Sequence, residues 1–508
     1  MGFIKLSAAP HFVKKGNQNQ LYVNNQPFII LSIEDHKIIG KGMIPDDFYF
    51  REAKNLHANT VSYTCRWNIF EKEKDVYDTV FLSNVKKEAE KNKLKIIILW
   101  FGSNISGHEN CAPDYVRADP FTYIPYTRSD CSLAEKTSGG DNGIYCYSYD
   151  KLFPNPLLAR EEKALRTLLF WIKKNDHKET FIMLQLENEL FVNPDLWESW
   201  SLSDKYYTDR CHCHRCEDIF MSKKSTTDLE YEQSVFFNYI KELASSAGQV
   251  APGFPLYLNV VVNWGWKNLT GNPYSQRKKY LDSIPALAFI AADIYFEDAV
   301  TYLDSLNTGR NILFIPEAGN PKGYLDGLAA FSMPFVIVGK YRGIGMQIYD
   351  LKSDDFGLIT GSGEWKDVAY RVRNSYAIIQ QIPVLYLKNT VASFRNLNKE
   401  SIKFGKININ VSATNESQYA RGLIINNKRE LIICGIGFQA EISGLNVKKI
   451  KIERGWWEQN KFRPLGQPRT GSYNQNNNSF FIILDDDEMS GSGIFKPTYG
   501  QYCIRIRY

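Results

Sequence analysis

The feature that most constrains this fold is a series of eight short apolar runs, separated by longer segments that include helical patterns. The runs are residues 28–31, 61–64, 96–100, 181–186, 256–262, 287–292, 312–315 and 343–348. Several are apolar at every position, which is typical of strands buried on both faces of a parallel sheet. Eight such strands with intervening helices predict an α/β fold, the (β/α)₈ or TIM barrel.

The sequence pattern changes after residue 382. Ile407, Ile409 and Val411 alternate with polar residues, and the apolar runs 423–425 and 431–433 flank a polar turn. Alternation of this kind predicts half-buried strands and hairpins. A chain of 508 residues also exceeds what one compact core accommodates. We therefore expect a catalytic barrel over residues 1–382 and an all-β, sandwich-like domain over residues 383–508.

Charge and hydropathy argue against several classes of partner. The formal net charge is only +5, from 61 basic and 56 acidic residues, and no basic stripe dominates. That balance argues against nucleic acid binding. No segment approaches the roughly 18 apolar residues of a membrane span, and no secretory signal is recognisable at the start. The aromatic content of 14% suits a sugar-binding cleft, and the sequence leaves a homo-oligomer open.

Two of the apolar runs end in carboxylates. Residues 185–189, Gln-Leu-Glu-Asn-Glu, end the fourth run, and Glu317 follows the seventh. The carboxyl ends of barrel strands carry the active site. A glycoside hydrolase that retains configuration needs two carboxyl groups about 5–5.5 Å apart there. Glu187 competes with Glu189 for the role of the acid, because simple alternation puts both side chains on one face of the strand.

The Gln185–Glu189 motif resembles that of family 35 glycoside hydrolases, mostly β-galactosidases of clan A. The resemblance implies that Glu189 is the acid/base and that Asn188 binds the sugar 2-hydroxyl. Residues 314–317 resemble the strand that carries the nucleophile, which implies Glu317. The stretch from 421 to 508 resembles the C-terminal β domain of a bacterial branch of the family. The other substrate contacts that we expect are Glu34, His36, Trp100, Asn263 and Tyr295.

One departure from the motif concerns the residues after Glu189. The family pattern continues with Tyr-Gly or a similar pair, whereas this chain has Leu190-Phe191.

The resemblance implies a retaining, exo-acting β-galactosidase that needs no cofactor for catalysis and acts on a glycoside or oligosaccharide. The alternatives are a β-glucosidase, a β-mannosidase, an α-L-arabinopyranosidase or a catalytically silent sugar-binding protein.

Three cysteines, Cys211, Cys213 and Cys216, lie within six residues. That spacing suits a tetrahedral zinc site whose fourth ligand comes from elsewhere. The pattern resembles the structural zinc site of family 42 β-galactosidases, which implies Cys111 as the fourth ligand. Rival ligands are Cys131, Cys146, His212 and His214. An odd total of nine cysteines and the clustered thiols predict a reducing, cytoplasmic setting.

Overall fold

The structure is a computed structural model of the chain. It describes residues 9–15, 18–34, 47–106, 110–133, 144–150, 154–191, 210–223, 226–262, 271–295, 300–319, 328–383, 389–395, 399–414, 419–446, 449–458, 461–466, 479–484 and 503–508.

Among the described residues, the first thirteen strands belong to the barrel domain. In chain order they are β1 (His11–Lys15), β2 (Gln18–Val23), β3 (Gln26–Pro27), β4 (Ile30–Glu34), β5 (Thr60–Arg66), β6 (Glu71–Glu73), β7 (Val76–Tyr77), β8 (Lys95–Ile105), β9 (Phe181–Asn188), β10 (Leu256–Val261), β11 (Leu287–Asp293), β12 (Phe314–Ala318) and β13 (Gly345–Tyr349).

Eight of these strands form one parallel sheet in the order β11-β10-β9-β8-β5-β4-β13-β12. The two edge strands meet where the amide of Ile294 donates to the Glu317 carbonyl at 2.9 Å, beside a parallel bridge from Ile294 to Ala318. The sheet therefore curls into a barrel. All eight predicted strands are confirmed, and the barrel prediction is confirmed with them.

Within the described ranges, eleven helices follow or flank these strands. They are α1 (Asp47–Asn55), α2 (Trp67–Phe70), α3 (Val80–Asn92), α4 (Asp114–Arg117), α5 (Pro156–Asn175), α6 (His214–Ser222), α7 (Asp228–Val250), α8 (Arg277–Ser283), α9 (Val300–Leu306), α10 (Leu328–Gly339) and α11 (Asp367–Ile379). Among the helices in the described ranges, none combines the length and the apolarity that crossing a membrane requires.

Helix α5 begins at two residues that favour a helix start. The side-chain oxygen of Asn155 accepts from the amide of Leu157 at 3.0 Å, and Pro156 occupies the first turn. Proline suits this position because its missing N–H would have no partner inside the helix. The apolar face of the helix, which includes Leu165 and Leu169, is buried.

The ten remaining strands of the part of the chain that the structure describes form the C-terminal β domain. They are β14 (Thr390–Arg395), β15 (Glu400–Phe404), β16 (Ile407–Ala413), β17 (Arg421–Asn426), β18 (Glu430–Ile436), β19 (Phe438–Ser443), β20 (Lys451–Glu458), β21 (Lys461–Gly466), β22 (Ser479–Leu484) and β23 (Cys503–Arg507). They pair antiparallel in a six-stranded and a four-stranded sheet that share one apolar core. The all-β prediction is confirmed. The boundary at residues 382 and 383 stays a prediction, between the end of α11 and the start of β14.

The six-stranded sheet has two apolar faces. Ile424 and Ile433 belong to the core of the β domain, whereas Leu423 and Ile432 belong to the apolar cluster of the barrel domain. Successive side chains of a strand point to opposite faces, so one sheet serves both cores. Burying a Leu or Ile side chain contributes about 1.5–3 kcal/mol. Buried Arg421 adds a polar link, because its Nε donates to Ser375 Oγ of α11 at 2.8 Å.

Cys434 of β18 and Cys503 of β23 lie directly opposite one another and form a disulfide. The sequence predicted thiol chemistry and a reducing compartment, and this bond does not fit that expectation.

The pairing of β13 with β4 depends on a glycine. Gly345 has φ of 133°, and a Cβ at this position would lie 2.0 Å from the Ile30 carbonyl oxygen of β4. Gly363 also has positive φ, 97°, but a Cβ there would meet nothing within 4 Å. A comparison of substitutions at the two glycines therefore separates the cost of a strained φ from the cost of a backbone clash.

We expect Gly345→Ala to lower the free energy of unfolding by more than about 4 kcal/mol, because the β4 backbone must move. Gly363→Ala, the control, should lose only the cost of the strained φ, about 1–3 kcal/mol. Urea denaturation followed by circular dichroism measures both. Equal losses for the two variants would contradict this account of the barrel pairing.

Candidate active site

The end of β9 places Glu187 and Glu189 in different surroundings. Both residues have left-handed backbone conformations, with φ of 57° and 47°. Such conformations break the alternation of side chains along a strand. The neighbouring strand β8 is irregular at the same level, because its pairing with β9 shifts between Trp100 and Ile105. The prediction that Glu187 and Glu189 share a face is therefore wrong.

Glu187 is fully buried behind the barrel wall. Its carboxylate accepts the amides of Gly102 at 2.9 Å and Ser103 at 3.0 Å, and Tyr239 donates to it as well. Burial and the neighbouring Glu161 raise the pKa of Glu187 well above its usual range. A neighbouring negative charge disfavours the ionised form of a buried carboxyl group. The hydrogen bonds that Glu187 accepts fix the turn that leads into Asn188 and Glu189.

Trp100 also belongs to this buried region. Its ring is fully buried, and its indole N–H donates to Glu161 Oε1 at 2.9 Å. The ring therefore lies between the barrel strand and helix α5, which carries Glu161. The prediction that Trp100 contacts the substrate is wrong, because the strand turns its side chain outward.

Glu189 and Glu317 converge at the mouth of the barrel together with Asp293. One carboxylate oxygen from each of the three lies within 4.8 Å of the other two. Ser106 Oγ donates to Glu189 Oε2 at 2.6 Å, and Tyr295 donates to Glu317 Oε2. Burial and the charge of Glu317 raise the pKa of Tyr295 well above its usual value, so its hydroxyl remains a donor.

The side-chain amide of Asn259 on β10 connects these groups. Its Oδ1 accepts the backbone amide of Glu189 at 2.9 Å. Its Nδ2 donates to Asn188 Oδ1 and to Asp293 Oδ2, both at 2.8 Å, and lies 3.4 Å from Glu317 Oε1. One buried amide thus sets the relative positions of residues from four strands.

The remaining predicted substrate contacts are Asn188, Glu34, Tyr295, His36 and Asn263. Asn188 is buried, and its Oδ1 also accepts from Gln185 Nε2 at 3.1 Å. Glu34 ends β4, is buried, and accepts from Gln347 Nε2. Tyr295 forms an aromatic group with Tyr349 and Phe356, which all remain partly exposed. His36 and Asn263 lie outside the described residues.

The sequence analysis did not select Ser106, Asn259 or Asp293. Asn259 interrupts the apolar run Leu256–Val261, and a buried amide in such a strand needs hydrogen-bond partners. Asp293 follows the apolar residues of β11 in the same way that Glu317 follows those of β12. These two signals were available from the sequence, whereas Ser106 is placed only by the irregular end of β8.

A second cluster contains four buried thiols. The ligand atoms of Cys146, Cys211, Cys213 and Cys216 all lie within 4.8 Å of one another, and the Cys146 and Cys216 sulfurs are 3.4 Å apart. Cys146 precedes α5, and the other three cysteines lie at the start of α6. The backbone of Cys146 is held by Asn155 Nδ2, which donates to its carbonyl at 2.7 Å.

Cys111, the predicted fourth member, does not belong to this cluster. Its amide donates to the Gly102 carbonyl at 2.7 Å, and its carbonyl accepts from Asn68 at 2.8 Å. These bonds place it close to Cys65, whose pKa rises because of burial and then because of Cys111. The prediction that Cys111 is the fourth ligand is therefore wrong. Cys146, one of the rival ligands, lies beside the other three cysteines instead.

The four thiols fit a tetrahedral zinc ion. A Zn–S distance of about 2.3 Å places sulfurs roughly 3.8 Å apart around the metal. The observed separations are compatible with that spacing, and four thiolates are a typical donor set for structural zinc.

Several solved structures of low sequence identity are similar to this chain, and the first one named here shows a shared fold. A β-galactosidase from Bacillus circulans sp. alkalophilus has 11% identity and a TM-score of 0.52, over 72% of this chain and 58% of that protein. A GH42 β-galactosidase from G. stearothermophilus has 12% identity and a TM-score of 0.49, over 70% and 57%. An exo-β-1,4-mannosidase from Opitutaceae bacterium strain TAV5 has 15% identity and a TM-score of 0.42, over 75% and 63%.

The chain thus spans somewhat less than two thirds of the length of these proteins. No protein-family model matches the sequence, and no curated protein matches it.

Proposed function

We propose that this protein is a retaining β-glycosidase, and more specifically an exo-acting β-galactosidase. The observation that carries the proposal is the convergence of Glu189 and Glu317 within 4.8 Å. Retaining enzymes hold two carboxyl groups about 5–5.5 Å apart, whereas inverting enzymes need about 6.5–9.5 Å to admit a water molecule. The separation therefore favours a covalent glycosyl-enzyme.

In the first step, the Glu317 carboxylate attacks the anomeric carbon. Tyr295 and Asn259 orient this carboxylate through the hydrogen bonds described above. The bond between the anomeric carbon and the aglycone oxygen breaks, and that oxygen takes the proton of Glu189. The negative charge of Glu317 favours a protonated Glu189 before this step.

In the second step, Glu189 acts as a base. It removes a proton from water, the water oxygen attacks the anomeric carbon, and the ester to Glu317 breaks. Glu189 is protonated again and Glu317 is again ionised. Ser106, which donates to Glu189, and Asn259, which holds its backbone, keep the carboxyl group in place through both steps.

Recognition of the sugar involves the groups around this pair. Asn188 would bind the 2-hydroxyl and Glu34 a further hydroxyl, while the aromatic group of Tyr295, Tyr349 and Phe356 would contact an apolar sugar face. The galactose assignment is supported by the Gln185–Glu189 motif and by the fold shared with proteins named β-galactosidases.

A panel of nitrophenyl glycosides that differ at the 2- and 4-hydroxyls tests the specificity. The β-galactoside should have the highest kcat/KM. Preference for a β-glucoside, β-mannoside or α-L-arabinopyranoside would retain the reaction class and change the sugar. Sugar binding without cleavage of any of them would make the protein a silent binding module.

For the nucleophile, we expect Glu317→Gln to remain folded and to lose at least about 10⁴-fold in kcat, because an amide cannot form the covalent ester. Azide added to Glu317→Gly should restore cleavage of an activated glycoside with inverted configuration. Normal turnover by a folded Glu317→Gln protein would refute this role.

For the acid/base, we expect Glu189→Ala to impair substrates with poor leaving groups far more than nitrophenyl glycosides, because only the former need protonation. The control is Glu187→Ala, which should lower stability through the buried amides of Gly102 and Ser103 that lose their acceptor. If Glu187→Ala shows the leaving-group effect and Glu189→Ala does not, the two roles are reversed.

We also propose that Cys146, Cys211, Cys213 and Cys216 bind one structural zinc ion. When bound, the ion cross-links the segment before α5 to the start of α6, and four protein ligands leave no position for a substrate. Binding to the folded state alone also stabilises it.

Elemental analysis of protein purified without chelators tests the ligand set. Wild-type protein and Cys111→Ser should contain about one equivalent of zinc, and Cys146→Ser should lose most of it. The opposite result for the two variants would restore Cys111 as the ligand. Zinc absent from wild-type protein would show that the four cysteines are ordinary thiols.

A cytoplasmic location also remains a proposal. The thiol cluster supports a reducing compartment, whereas the Cys434–Cys503 disulfide is typical of an oxidising one. Alkylation of the protein during extraction, followed by mass spectrometry of these two cysteines, distinguishes the compartments.

A further inference from the structure

The most unusual group at the barrel mouth is Asp293, to which the proposed mechanism gives no role. It is fully buried at the end of β11. Its Oδ2 accepts from Asn259 Nδ2 at 2.8 Å, but among the described residues no donor reaches Oδ1. An ionised carboxylate can only accept hydrogen bonds, so a buried oxygen without a donor is costly in that form.

The groups that face Asp293 make the ionised form still less favourable. Glu317 lies on β12, Glu189 follows β9, and Glu34 ends β4. Two phenols, Tyr257 of β10 and Tyr295, also interact with it electrostatically. Burial, followed by the charges of Glu317, Glu189 and Glu34, raises the pKa of Asp293 well above its usual range.

A proton on Oδ1 resolves both difficulties. The protonated group then becomes a donor, and one Asp293 oxygen lies within 4.8 Å of a carboxylate oxygen of Glu189 and one of Glu317, which are acceptors. Oδ2 remains free to accept from Asn259. The neutral form thus removes one negative charge from a cluster of three and turns the oxygen that lacks a donor into a donor itself.

We propose that Asp293 is a positioning residue held as a neutral carboxylic acid, which donates a hydrogen bond from Oδ1 toward whichever of Glu189 and Glu317 is ionised. The proposal rests on the catalytic roles given above. Before cleavage the charge is on Glu317, and in the glycosyl-enzyme it is on Glu189. The cluster holds one negative charge in both states. Asp293 keeps its proton throughout, so the proton balance of the reaction is unchanged.

Asp293→Asn imitates the proposed form. The amide oxygen can accept from Asn259 at the place of Oδ2, and the NH₂ group can donate at the place of Oδ1. If Asp293 is neutral, this substitution changes little at the site. If Asp293 is ionised, the same substitution removes a charge next to both catalytic carboxyl groups.

The first measurement needs no substrate and is the melting temperature between pH 4 and pH 7. If Asp293 stays protonated when folded, the wild-type protein loses stability as pH rises above the unfolded pKa of about 3.9, because only the unfolded chain releases this proton. Asp293→Asn lacks this loss. Its melting temperature should therefore gain at least about 2 °C on the wild type over this range.

The control is Asp355→Asn, the same substitution at an exposed aspartate, whose difference from the wild type should stay constant with pH. A difference for Asp293→Asn that is flat, or that falls as pH rises, overturns the proposal. If Asp293→Asn does not fold, infrared spectra of wild-type protein labelled with ¹³C at the aspartate carboxyl decide. A protonated-acid band at pH 7 that shifts with the label supports the proposal, and its absence refutes it.

The second measurement is the pH dependence of kcat/KM with 4-nitrophenyl β-galactoside. The alkaline limb of Asp293→Asn should coincide with that of the wild type within about 0.3 pH unit. A downward displacement of about one unit or more would show that a negative charge had been removed beside Glu189. If the wild type cleaves no glycoside, the proposed function fails, and the melting temperatures still test Asp293.

Discussion

The site depends on the side-chain amide of Asn259, which is buried among carboxyl groups at the mouth of the barrel. It accepts the backbone amide of Glu189 and donates toward Asn188, Asp293 and Glu317. Carboxyl groups repel one another when ionised, and burial strengthens that repulsion. A fixed amide with both a donor and an acceptor holds them in place. The barrel supplies this arrangement because the carboxyl ends of its strands meet at one rim.

The two acidic pairs near β9 illustrate how surroundings give the same residue type different tasks. Glu187 and Glu161 are buried behind the strand with amide, indole and hydroxyl donors, which makes them structural. Glu189 and Glu317 lie at the mouth, where Glu189 is partly exposed. The left-handed conformations of Glu187 and Glu189 separate the two environments within three residues. Glu187 of the buried pair and Glu189 lie in the same turn. The hydrogen bonds that fix Glu187 therefore also help to position Glu189, the proposed acid/base.

The C-terminal domain contributes to the barrel through one sheet with two apolar faces. Because alternate residues of β17 and β18 enter different cores, the domain and the barrel stabilise each other. Arg421, buried at this junction, donates to Ser375 and to the Arg371 carbonyl of α11. The β domain thus supports the helical layer outside the strands, away from Glu189 and Glu317.

The sequence by itself determined the eight barrel strands and the β domain, because apolar runs and alternation are local patterns that report burial directly. Strand-end carboxylates are also visible in the run of residues and limited the candidates to Glu187, Glu189 and Glu317, while the choice of Glu189 over Glu187 came from the family resemblance. Only the tertiary structure decided which side chains contact one another. Trp100 turned outward, Cys146 replaced Cys111 beside the three clustered thiols, and Asn259 joined four strands. Such contacts depend on irregular loops and on φ values at single residues, which no periodic pattern encodes.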